Sequence, residues 1–118
     1  MTNLTQRIAA VLGPTLVAVT ISEAINLRIW SDVHPTLVYL NGLILFAAGI
    51  FIVTSHNRWR PGRAFLVTLS GWLLVLAGAY RLFFPASPQG GPNPLTYTVI
   101  ALLCLLGVAL SAIAFLDR

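Results

Sequence analysis

Apolar residues fall in four long blocks, each close to the roughly 20 residues a helix needs to cross a bilayer. The blocks cover residues 8–29, 36–54, 64–84 and 95–116. Residues 36–55 and 82–116 carry no charge, so the second and fourth blocks read directly as spans. The first block holds Glu23 and Arg28, and the third holds Arg81, which blurs their ends. The pattern predicts an all-α protein: an integral membrane four-helix transmembrane bundle, a single transmembrane domain over residues 1–118. Pro14 lies inside the first block, where it predicts a kink or a local break.

The breaks between blocks differ in character. Residues 31–35, Ser-Asp-Val-His-Pro, make a short connection, which sets the first two helices antiparallel. Residues 55–63 bring Arg58, Arg60 and Arg63 together. Residues 85–94 hold four prolines and two glycines without charge and read as an irregular exposed loop. The glycines there are not followed by the Lys-Ser/Thr of a phosphate-binding loop. A basic residue followed by an apolar run at the N-terminus has the order of a secretory signal, but no small-residue cleavage pattern follows it.

Composition changes the picture in one respect: it fixes the solvent. Hydrophobic residues make up 58% of the 118 and charged residues 8%, against about 25% charged in soluble domains. A chain this short cannot cover so much apolar surface with its own polar groups, so lipid is the expected surroundings. The net charge of +4 comes from seven basic residues, all arginine and scattered, and no dense basic face suggests nucleic acid. Arginine placement instead predicts topology. With four spans, Arg7, Arg58, Arg60, Arg63 and Arg118 share one side, and Arg28 and Arg81 the other. Both termini are thus expected to be cytoplasmic, with short loops, in a bacterial inner (plasma) membrane. Trp30 and Trp59 fall at opposite expected interfaces, as amphipathic anchors do. The glycosylation spacing at Asn3 falls on the cytoplasmic side of this topology.

Candidate chemistry is confined to a few polar groups within the blocks. At about 100° per residue, Thr20 and Asn26 share the helix face of Glu23, whereas Arg28 turns away. Glu23 lies about 8 Å inside the end of its span by helical rise, a depth matched by Asn41, with Arg81 and Tyr80 near the same end. The expected intramembrane polar cluster is therefore Glu23, Asn26, Asn41, Tyr80 and Arg81, centred on a Glu23–Arg81 pair. An unpaired carboxylate at mid-bilayer costs about 2.5–3.5 kcal/mol on insertion scales, which favours such a clamp. His34 and His56 bracket the second span, roughly 33 Å apart, and read as interfacial residues that cannot share a haem. Cys104 reads as a packing residue. No metal, cofactor or catalytic set is expected.

Small residues supply faces for close helix approach. Ser70, Ala77, Gly78 and Arg81 align on the third block, with Gly71 near. Asn41 and Ala48 align on the second, with Gly42, Ala47 and Gly49 near. Tyr97, Cys104 and Ser111 recur on the fourth, flanked by Ala101 and Gly107, and Gly107–Ser111 has small-xxx-small spacing. The indole N–H of Trp72, near the middle of the third block, requires an acceptor that lipid lacks. Together these features predict a small polytopic membrane protein without a catalytic set, an accessory or assembly subunit. Its expected partners are the lipid bilayer and other membrane subunits or a homo-oligomer. The alternative expectation is a small oligomeric transporter or channel using the buried Glu23/Arg81 site.

Overall fold

A computed structural model describes residues 4–30, 33–57, 59, 62–88 and 93–116. The expectations drawn from Asn3, from Ser31 and Asp32, from Arg58 and Arg60, from the glycines of the last loop and from Arg118 fall outside these residues. The described chain is helical: α1 (Leu4–Ile25), α2 (Pro35–Ser55), α3 (Arg63–Phe83) and α4 (Pro94–Phe115), with a 3-10 turn at Leu27–Trp30. All four α-helices are long and apolar enough to cross a membrane. No more than 33% of any of these apolar stretches is buried within the chain. Exposed side chains such as Val11, Phe51 and Leu105 account for the remainder.

Local chemistry sets the helix ends. Proline occupies the first turn of α2 and of α4, where its missing N–H costs nothing. Just before each, His34 Nδ1 accepts from Thr36 N at 3.1 Å and Asn93 Oδ1 accepts from Thr96 N at 2.9 Å. These bonds satisfy amide donors that the first turn leaves without helical partners. His34 is thus a helix cap.

The first helix ends four residues before the apolar block does, at Ile25. Asn26 lies just past that end: its backbone N–H makes the closing i→i−4 bond to the Ser22 carbonyl at 2.9 Å, and its side-chain amide donates to the same oxygen at 3.0 Å. The helix runs unbroken through Pro14. A proline deprives only one upstream carbonyl of its donor, and the rest of the ladder holds the helix together. Buried or exposed hydroxyls on the helices are satisfied in the same local way. Thr20, Ser70, Thr98 and Ser111 each donate to the carbonyl four residues earlier, at 2.7–2.8 Å.

The chain divides into two compact units, Val33–Pro88 and the combination of Met1–Asp32 with Gln89–Arg118. In the first unit α2 and α3 pack antiparallel across glycines seven residues apart on each helix, Gly42 and Gly49 facing Gly78 and Gly71. A methyl group on Gly49 would come within 2.6 Å of Val75 N, and one on Gly42 within 2.9 Å of Gly78 O. Backbone meets backbone. Helices that associate in lipid rely on close approach of this kind, because the hydrophobic effect does not draw them together there. Val38, Ile52, Val53, Val67 and Val75 fill the flanks.

In the second unit α1 and α4 pack antiparallel in the same manner. A methyl group on Gly13 would lie 2.6 Å from Ser111 N, and one on Gly107 would lie 3.0 Å from Gly13 O. The Gly107–Ser111 spacing is therefore where α1 seats itself. Ile8, Ala9, Ile100, Leu110, Ile113 and Ala114 close over this crossing. On α3 the expected Ser70, Gly78 and Arg81 do lie at the seam, whereas on α2 the buried face is turned by one position from the expected alignment. Ala47, Ala48, Ala77, Tyr97 and Ala101 are exposed, and the glycines beside them carry the contacts.

Candidate functional site

Polar side chains inside the α2–α3 pair are held by one another. Arg81 lies in the last turn of α3, where a cation complements the partial negative charge of the helix end. Its Cβ sits over Gly42, so close that a methyl group at that position would be 2.7 Å away. The guanidinium Nη1 donates to Asn41 Oδ1 at 2.6 Å, and both residues are half-buried. The bond is short, as charge-assisted bonds are. It uses the polar end of Asn41 to hold a cation one turn inside a helix. Tyr80 is 55% exposed and lays its ring against Phe84, with centroids 5.5 Å apart.

The remaining residues expected in the polar cluster lie in the α1–α4 unit. Glu23 is half-buried, in the last turn of α1. Thr20 is buried and bonds to the carbonyls of Leu16 and Val17 in its own helix. Asn26 lies past the helix end and is exposed, its amide engaged on Ser22. Asn26 thus lies beyond α1 and does not continue the Glu23 face. Of the two expected anchors, Trp30 ends the 3-10 turn half-buried, and Trp59 is exposed between α2 and α3.

A second polar constellation lies at the opposite end of the α2–α3 pair, and sequence reasoning missed it. His56 follows the last residue of α2 and is only 2% exposed, although its position suggested an interfacial side chain. Its Nδ1 lies 3.0 Å from Thr68 Oγ1, and the Thr68 hydroxyl lies 3.3 Å from the His56 carbonyl. With the hydroxyl donating to the carbonyl, the consistent arrangement has Nδ1–H donating to Oγ1. One turn along α3 the Trp72 indole N–H donates to Asn57 Oδ1 at 3.3 Å. This answers the need for an acceptor: a residue just past α2 supplies it.

His56 and Asn57 therefore clasp Thr68 and Trp72, four residues apart and on one face of α3. That spacing was the available signal. A His-Asn pair immediately after one apolar span faced a Thr and a Trp one helical turn apart on the next.

The arrangement can hold helices in register. Cys104 is half-buried in α4. Among the described residues no three His, Cys, Asp or Glu side chains come together as metal ligands would. Comparison with known proteins leaves the physical reading to stand by itself: no family model, no characterised protein and no solved structure matches this chain.

Proposed function

We propose that this protein is a non-catalytic subunit of a larger membrane assembly, serving as an accessory or structural element. On this reading it sits in a bacterial inner membrane with both termini in the cytoplasm. One observation supports the reading above the others. The Arg81 guanidinium, a cation placed inside an apolar helix, is held by Asn41 of the adjacent helix. Intramembrane ionisable residues usually mark transport or proton pathways, and here one of them is engaged in joining two helices. The exposed alanines of α2, α3 and α4 add surface on which another subunit can pack closely.

The competing reading, a small oligomeric transporter or channel, draws on Glu23, half-buried in the last turn of α1. In this reading a Glu23–Arg81 site binds and releases an ion or solute. Two measurements separate the alternatives. Extracted from native membranes into nanodiscs, the tagged chain is expected to carry a second polypeptide in fixed stoichiometry. Reconstituted alone in liposomes, wild type and Glu23→Gln are expected to show the same proton and solute leak. A flux present in wild type and lost in Glu23→Gln would replace the subunit reading with the transporter.

A further inference from the structure

We infer that the end of the α2–α3 pair bearing the 56–62 connection docks anionic phospholipid headgroups, through Arg63 and Trp59. Charge is the first reason. Residues 33–88 contain four arginines and neither aspartate nor glutamate, and three of those arginines fall between residues 58 and 63. Arg58 and Arg60 contribute to this count by their place in the sequence alone. Arg63 opens α3 and is exposed. A guanidinium offers planar paired donors that match a phosphate in two-point geometry.

Ring placement is the second reason. Trp59 is 54% exposed and meets Phe65 edge-on, with centroids 5.8 Å apart and planes at 64°. An indole braced on one side and open on the other suits the boundary between acyl chains and headgroups.

The third reason is position at one end of the apolar pair. α2 ends at Ser55 and α3 starts at Arg63, so the connection leaves and rejoins the apolar pair at one end. The two side-chain bonds from His56 and Asn57 to α3 pin the start of that connection. A cation and an aromatic ring both fall at the end where the apolar flanks stop. Phosphate is the anion that lipid itself presents there. A soluble anion would gain nothing from the ring.

Thermal unfolding of the purified full chain in neutral detergent tests the inference, with phosphatidylglycerol, phosphatidylcholine or inorganic phosphate added in separate titrations. Phosphatidylglycerol should protect at concentrations where phosphatidylcholine does not, and added salt should weaken that protection. Arg63→Gln should require roughly fivefold more phosphatidylglycerol for equal protection, and Trp59→Ala should also weaken it. The wild-type comparison of the two lipids decides even if a variant folds poorly. Equal protection by phosphatidylcholine, equal protection by inorganic phosphate alone, or an undiminished preference in both variants would overturn the proposal.

Discussion

Gly78→Leu should separate α2 from α3, while Ala77→Leu, one residue away, should leave the pair intact. A side chain at residue 78 would collide with Phe46 N and come within 2.7 Å of both Gly42 O and Phe46 Cα. These are backbone atoms, which cannot rotate aside as a side chain would. The helices must part, and the seam at Gly42 opens with them. Overpacking in a tight core costs about 1–3 kcal/mol and sometimes more, and the three atoms nearest residue 78 are all backbone. Ala77 is exposed, and substitutions at such positions usually change stability by less than about 0.5 kcal/mol. Equilibrium unfolding of both variants in mixed micelles makes the comparison. Equal losses would mean that the glycine face is not where the helices meet.

The second large effect should come from Thr68→Val, a change of almost no volume. Thr68 is fully buried and His56 nearly so. Removing the hydroxyl takes the bonding partner from Nδ1 in a place water does not reach. Leaving a buried polar group unsatisfied costs about 1–3 kcal/mol. Adding His56→Leu to Thr68→Val should restore part of the loss, because replacing both partners with apolar groups can be nearly neutral. Should the double variant be as unstable as the sum of the two single changes, the bond would not be the source of the effect.

The four helices were legible because their signal is additive: some 20 apolar residues in succession outweigh any local irregularity. The end of α1 was not legible in that signal. Ile29 is as apolar as Ile25, yet the helix ends at Ile25, where the Asn26 side chain adds a bond to the carbonyl its own backbone N–H already holds. Hydropathy contains no such information, whereas a short polar side chain that competes for backbone bonds does. The packing faces illustrate a related difficulty. Heptad spacing selected Asn41 and Ala48, but Gly42 and Gly49 share that spacing one position along, and only they admit a backbone. Small size was recognised correctly as the requirement; the distinction between alanine and glycine was what decided it.

For the polar residues, depth alone placed Asn41 and Arg81 in one layer, and the structure joins them. Depth could not reveal that His56 turns inward, because a histidine at a span end is equally compatible with headgroups. Its burial follows from Thr68, twelve residues on, which presents a hydroxyl to the same gap.

The reading of this chain as a passive element depends on the cation in the last turn of apolar α3 being an internal tie, and a double-mutant cycle on Asn41→Leu and Arg81→Met measures that tie directly. Unfolding free energies of wild type, both single variants and the double variant in one bilayer mimic should show a favourable coupling of about 0.6–2 kcal/mol, the range found for such bonds between helices in lipid. A coupling indistinguishable from zero would contradict the account and return Arg81 to the list of groups available for binding or transport.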